Sequence, residues 1–375
     1  MSEKNAEFYL NQGNKHRKNS RISNAVQSYV KAIQLDPSFD KPYKRLKSIQ
    51  KLNEKQRNII ADCYTQVIKK QSELPICAYV QLGDILTKRG NFQEAIKYYQ
   101  QSTEVLTRTT RPEFYDKYWN SNKGSKPNFI IIGAAKAGTT SLFQYLIQHP
   151  QVLSPIKKEV AFFHNNQRYS AGVNWYFSHF PSIPEESGFV TGEATPNYLV
   201  SNIQFEVAKL LPEVKLVAIL RDPVERAISH YHHRVKHRWE NRSLEEAITA
   251  ELVAVKDEES FSSSIEQACH QAGSVYLLGG LYYYTIKKWM SVFPPEQFLI
   301  LENTQLLTQP NDTMQKVYSF LGLPEYNISE YKKRNVGSYQ KEDISLIENK
   351  LYQLFQSHNE KLESFLNINF NWKKI

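Results

Sequence analysis

The chain has 375 residues, long for one domain, so two or three are expected. Hydrophobic residues make up 41% of it, enough for packed cores, and no apolar run is long enough to span a bilayer. The formal charge is +9 but uneven: residues 1–125 hold 22 Lys and Arg against 12 Asp and Glu, while the remainder holds 25 against 26. The surplus suits an anionic surface or polymer, or a solvated helical surface, and without a basic block with interleaved aromatics no nucleic-acid partner is expected.

The first segment, "MSEKNAEFYLNQGNKHRKNS", lacks the apolar core of a secretory signal. Three cysteines, Cys63, Cys77 and Cys269, give neither a disulfide framework nor metal-ligand spacing, so a cytoplasmic setting and no metal are expected. Residues 1–110 read as helical and repeating. Tyr29, Tyr64 and Tyr99 recur every 35 residues. "AVQSYVKAIQLDP" (25–37) and "AIKYYQQSTEV" (95–105) are alike, and "ADCYTQVIKKQ" (61–71) is a weaker copy. The small residues Gly13, Ala32, Gly83 and Ala95 allow paired helices to approach, and Pro37 ends the second helix of the first pair. A period near 34 resembles the tetratricopeptide repeat, which implies a stack of helix pairs and a protein or peptide partner, or else a stack that only shields its neighbour.

Residues 111–127, rich in Pro, Gly, Ser and Asn, read as a linker. From 128 to 375 short apolar runs alternate with helical stretches. "NFIIIG" (128–133), "GFVTGE" (188–193), "KLVAIL" (215–220) and "QFLILE" (297–302) predict strands of a parallel sheet in an α/β domain. The first runs into "GAAKAGTTSL" (133–142). Gly133 and Gly138 have the spacing of a phosphate-binding loop, but Thr139 stands where a nucleoside-triphosphate loop carries its lysine, and Lys136 lies inside. Such a turn aims backbone N–H groups at an anion, and the Thr139, Thr140 and Ser141 hydroxyls add donors. Without a lysine at 139 it is poorly equipped for a γ-phosphate; it suits a shorter 5′ group.

In "LRDPVERAISHYHH" (220–233), Asp222, Pro223 and Glu225 fit N-cap, N1 and N3 of a helix. Arg221 then stands at a strand's carboxyl end, with Ser229 two turns on, a pair suited to a second phosphate. His230, His232, His233 and His237 follow and read as a solvated helix face rather than a metal site or proton relay.

"PNFIIIGAAKAGTTSL" with "LRDPVERAISHYHH" resembles the sulfotransferases that use 3′-phosphoadenosine 5′-phosphosulfate (PAPS), in particular the heparan sulfate N- and O-sulfotransferase type with bacterial relatives carrying tetratricopeptide repeats. The resemblance covers about 127–340 and implies a P-loop-type parallel sheet flanked by helices behind the all-α repeat domain. It assigns Lys136, Ala137, Gly138, Thr139, Thr140 and Ser141 to the 5′-phosphosulfate, and Arg221 and Ser229 to the 3′-phosphate. "KKEVAFF" (157–163) resembles the segment that supplies the catalytic carboxylate, making Glu159 the general base and Lys136 the cation at the leaving oxygen. "TGEATPNYL" (191–199) matches a substrate-side segment, with Ala194 where relatives commonly carry lysine. "KKRNVGSY" (332–339) occupies the place of the loop over the nucleotide, implicating Arg334, Asn335, Gly337 and Tyr339, although the usual Lys-Gly-Arg is replaced. The acceptor is then an alcohol or amine on a glycan, lipid or small molecule. The rivals are a P-loop kinase or ATPase, which the lysine placement disfavours, and a repeat scaffold with an inactive nucleotide domain. His164 as an acceptor contact, Trp175 and Tyr176 as core or sugar platform, and Tyr282 as a nucleotide neighbour stay open.

Overall fold

The computed structural model describes residues 2–49, 51–70, 74–119, 125–259, 265–332, 344–370 and 372. Seven helices come first: α1 (Ser2–Lys18), α2 (Ile22–Leu35), α3 (Asp40–Lys47), α4 (Glu54–Lys70), α5 (Ile76–Lys88), α6 (Phe92–Thr110) and α7 (Pro112–Tyr118). Then come β1 (Phe129–Gly133), α8 (Thr139–Leu146), β2 (Val152–Leu153), α9 (Asn166–Ser170), α10 (Val173–Phe177), β3 (Val190–Glu193), α11 (Gln204–Leu210), β4 (Lys215–Leu220) and α12 (Pro223–Lys236). The described chain continues with α13 (Leu244–Glu259), α14 (Ile265–Gln271), α15 (Tyr282–Met290), β5 (Phe298–Glu302), α16 (Asn303–Thr308), α17 (Pro310–Leu321) and α18 (Ser345–Leu366). They gather into two compact units: residues 1–126 with 154–157 and 165–187, and residues 127–153, 158–164 and 188–375.

In the first unit the repeat tyrosines are the core, with Tyr29, Tyr64 and Tyr99 all at 0% exposure. Each outer pair closes on a glycine: a Cβ on Gly13 would stand 2.4 Å from the Tyr29 ring, and one on Gly83 2.5 Å from the Tyr99 ring. The small-residue pattern is thus a matched glycine–tyrosine contact, repeated. The weaker middle copy is α4, and the helix ahead of it, α3, has only eight residues. Tyr43 of α3 packs its ring on Tyr64, centroids 5.3 Å apart. Helix α2 stops at Leu35, just before Pro37, and α7 forms inside the stretch read as a linker, with Pro112 at its start.

Segments 154–157 and 165–187 complete this unit. Trp175 and Tyr176 of α10 are buried, and the Trp175 indole donates to the Thr87 hydroxyl at 2.8 Å. They are core, not a sugar platform. Asp84 of α5 accepts the Tyr99 hydroxyl at 2.7 Å and pairs with the Lys157 ammonium.

The second unit is built on one five-stranded, all-parallel sheet of order β2-β3-β1-β4-β5. Strand β1 is buried throughout, which is why its sequence is a continuous apolar run without alternation. The four expected strands are present; the two-residue β2 is too short to leave a periodic signal. From β1 the chain crosses to β2 and β3 on one side, then returns past β1 to β4 on the other. The loops after β1 and β4 therefore flank the point where strand order reverses, where open parallel sheets hold ligands. Helices α12, α13, α14 and α18 pack together around Ala227, Ile248, Leu277 and Phe355 beside the sheet. No helix among the described residues is long and apolar enough to cross a membrane.

Candidate active site

The loop from β1 to α8 is a tight cradle. Gly138, at the N-cap of α8, has φ +101°, a left-handed conformation natural to glycine, and Lys136 has φ +73°. Asn303, the first residue of α16, donates its side-chain amide to the Ala137 carbonyl at 2.8 Å. A Cβ on Gly138 would meet that same amide nitrogen at 2.7 Å, so the glycine is required twice, for its φ and for Asn303. Ala137 and Thr139 are buried and Thr140 and Ser141 half-buried around the start of α8, whose first N–H groups have no partner within the helix.

Across the reversal point, Asp222 caps α12 as expected, accepting the N–H groups of Val224 (2.9 Å) and Glu225 (3.1 Å). The Arg221 guanidinium contacts the Glu225 carboxylate (3.0 and 2.9 Å) and donates to the Lys136 carbonyl at 3.5 Å. The two motifs therefore meet, Arg221 touching the crown of the β1 loop. Tyr282 donates to the Arg221 carbonyl at 2.9 Å, so it supports that backbone. Ser229 is buried two turns along α12, beyond Arg226. Arg226 is itself buried, donates to the Tyr276 carbonyl and lies within 3.5 Å of the His230 ring.

Burial, then the charges of Arg221, Lys236 and Lys158, lowers the Lys136 pKa from its ordinary 10.5. Among the described residues the charges acting on this ammonium are cationic, with Arg221 and Lys158 themselves paired to Glu225 and Glu159, and a bound anion would offset the surplus. Glu159 is largely exposed and pairs with its neighbour Lys158 at 2.8 Å. The histidines are half-buried rather than on a solvated face. His230 is wedged by Arg226 and Tyr276 and pushed down to about 3, by burial first and Arg226 second. His233 packs on His237, ring centroids 4.5 Å apart; burial and Lys136 lower its pKa, and Glu159 acts on it in the opposite sense.

The segment "TGEATPNY" holds the loop that carries Glu159. Glu193, fully buried at the carboxyl end of β3, accepts the Val160 N–H at 3.0 Å and the Thr195 hydroxyl at 2.6 Å through one oxygen. Its other oxygen accepts the Tyr198 hydroxyl at 3.2 Å. That hydroxyl takes the Phe162 N–H at 2.8 Å, and the Thr195 hydroxyl takes the Ala161 N–H at 3.2 Å. Ala194 is buried and donates to the Lys158 carbonyl at 2.8 Å. His164 packs edge-on against Tyr198, centroids 5.4 Å apart. Arg334, Asn335, Gly337 and Tyr339 lie outside the described residues.

Sequence reasoning did not assign Glu193, Asn303, Lys158 or Lys236. A signal existed for the first two: like Gly133 and Arg221, each stands at the carboxyl end of a parallel strand. Nothing in sequence spacing links Lys236 to Lys136, because the end of a long helix brings it there.

A family model described as a sulfotransferase domain matches residues 126–365, and one described as a tetratricopeptide repeat matches residues 6–39 and 78–105. The chain is 28% identical over 317 residues to the membrane-associated sulfotransferase kil1 of Dictyostelium discoideum, covering 66% of each. It is 36% identical over 211 residues to the bifunctional heparan sulfate N-deacetylase/N-sulfotransferase 3 of Homo sapiens, covering 54% of this chain and 23% of that one. A crystal structure of a sulfotransferase from Alicyclobacillus acidocaldarius superposes with a TM-score of 0.53 at 26% identity, over 66% of this chain and 98% of that one. The chain thus spans 66% of one curated relative and about a quarter of the other. A parallel sheet with the β1–α8 turn at the reversal point, together with a domain match over more than half its length, makes this chain a member of the sulfotransferase family, with tetratricopeptide repeats at its N-terminal end.

Proposed function

We propose that this chain transfers a sulfuryl group from PAPS to a hydroxyl or amine of an acceptor, a glycan being the acceptor class its relatives favour. The observation that carries the reading is the meeting of Arg221 with the Lys136 loop, the guanidinium donating to the Lys136 carbonyl at 3.5 Å, where Arg221, Lys236 and Lys158 add positive charge around the Lys136 ammonium. A nucleotide bearing anionic groups at both its 5′ and 3′ positions fits this arrangement. Residues 136–141 would hold the 5′ group, and Arg221 with Ser229 the 3′-phosphate. When bound, PAPS supplies an activated sulfuryl group and a stable leaving nucleotide.

The chain's own residues supply position and charge, which dominate in-line transfers of this type. Lys136 stabilises negative charge as it develops on the leaving oxygen. Glu159 accepts the acceptor's proton, a contribution of about 10²–10⁴-fold for a well-placed base. Glu193 and Asn303 are positioning residues, one for the Glu159 loop and one for the anion loop. The domain boundaries that go with this reading are a repeat domain 1–110, a connection 111–127 and a catalytic domain 128–375. Three free cysteines fit a reducing, cytoplasmic compartment.

Calorimetry tests the reading. Adenosine 3′,5′-bisphosphate should bind and ATP–Mg²⁺ should not. Glu159→Gln should keep bisphosphate affinity and lose transfer. Preference for ATP, or undiminished turnover in the variant, overturns it.

A further inference from the structure

The cation surplus of residues 1–125 has a focus. Arg17 and Lys18 end α1 and Arg45 lies in the last turn of α3. With Asn14 and Ser48 they line a hollow of about 690 Å³. Cations at helix C-termini are expected, because each such end carries about half a negative charge. Two ends offset about one of these three cations and leave the hollow positive. Four other cations of this unit meet carboxylates: Lys44 pairs with Asp40, Arg57 and Arg89 with Glu54, Lys157 with Asp84. The hollow differs, having no carboxylate among its described lining residues.

Among the described residues, the groups that hold Arg17 in place are neutral. It donates to the Ser48 hydroxyl at 2.6 Å, the Ser48 carbonyl at 3.0 Å and the Arg45 carbonyl at 3.5 Å. These bonds orient the guanidinium fork without discharging it, the state in which arginine takes a sulfate or carboxylate. Its described lining residues include no aliphatic or aromatic side chain, so they offer none of the apolar anchors on which protein partners rely. A hydrated polyanion fits.

We infer that this hollow is a binding site for an acidic, sulfated or carboxylated, glycan chain. The inference rests on the sulfotransferase reading for its choice of glycan. It gives the repeats a substrate-recruiting role toward a polymeric acceptor.

The test is run on the full chain without donor nucleotide, so that it reads independently of transfer. Dextran sulfate and uncharged dextran are titrated into wild type, the double variant Lys18→Glu/Arg45→Glu and the control pair Lys97→Glu/Lys88→Glu, which removes exposed cations outside the hollow. Lys18 and Arg45 are exposed, so charge reversal leaves core packing untouched, and a thermal melt of the variant checks that the acidic residues at two helix C-termini have not unfolded it. Dextran sulfate should bind wild type and the control alike, about tenfold or more tighter than the double variant, and the difference should shrink with salt. Equal losses in variant and control reduce the effect to bulk charge and overturn the site. Binding of phosphatidylserine vesicles or duplex DNA as tight as dextran sulfate, and equally sensitive to the double variant, overturns the glycan assignment. Failure of the sulfotransferase reading would appear separately, as absent bisphosphate binding.

Discussion

The carboxylate of Glu193 takes the backbone N–H of Val160, the residue next to Glu159, at 3.0 Å. One buried side chain thereby fixes the loop that carries the proposed base. Glu193→Ala would strand the Val160 N–H and two hydroxyl donors, a cost of about 1–3 kcal/mol for an unsatisfied buried group. We expect a lowered melting temperature, transfer reduced far more than stability explains, and bisphosphate affinity retained. Glu193→Gln, which keeps one acceptor oxygen, should fall between the two. Parallel loss of bisphosphate binding in both variants would contradict a role confined to the Glu159 loop.

Asn303 makes the opposite prediction. Its amide holds the Ala137 carbonyl, so Asn303→Ala should loosen the anion loop and weaken bisphosphate binding by one hydrogen bond, about 0.5–1.5 kcal/mol. Gly138→Ala should be worse, because it adds a left-handed strain and a Cβ 2.7 Å from the same amide. In the double variant the contact is gone but the strain stays, so Asn303→Ala should partly relieve Gly138→Ala. Calorimetric titration of all three variants checks the coupling; strict additivity would show that the contact does not matter.

How much of this was legible in the sequence follows from the range of the interactions. The strands and repeat helices were readable because burial writes a period into the chain: the continuous run of β1, the 35-residue recurrence of Tyr29, Tyr64 and Tyr99. The Lys136 loop and the Asp222 cap were readable because their chemistry is local. The role of Glu193 is not legible in sequence, since its partners Val160 and Tyr198 lie on both sides of it along the chain and only the fold brings them together. The four histidines misled for the same reason: helix spacing says which face they share, not that Arg226 and Tyr276 close around His230.

The Asp84–Lys157 pair ties a repeat helix to the segment after β2, within one unit. Burial alone would raise the Asp84 carboxyl, but the Lys157 ammonium and the Tyr99 hydroxyl outweigh it and hold it below its ordinary value. Stability from this pair is therefore present above the ordinary carboxyl pKa and is lost as pH falls through the lowered folded value. The Lys157 and Asp84 side chains are 16% and 40% exposed, so Asp84→Asn should cost less than a fully buried pair, about 1–3 kcal/mol. Thermal melts of wild type and Asp84→Asn should differ at neutral pH and converge in acid. A gap that stays constant down to the acid limit would assign the loss to packing.

Lys136 gives the prediction with the clearest sign. Its pKa in the free protein is lowered by burial and by Arg221, Lys236 and Lys158. A bound anion favours the ammonium and raises that value. Nucleotide affinity should then be full where free Lys136 is protonated, and decline as pH rises through the lowered value, by at most about one decade per pH unit. Over that range binding must take up a proton, which calorimetry in two buffers of different ionisation enthalpy counts directly. Lys136→Arg, which stays charged, should bind without the alkaline decline, and Lys136→Met should bind weakly at every pH. If wild type and Lys136→Met lose affinity with the same alkaline slope, the titrating group is another residue and Lys136 does not contact the nucleotide.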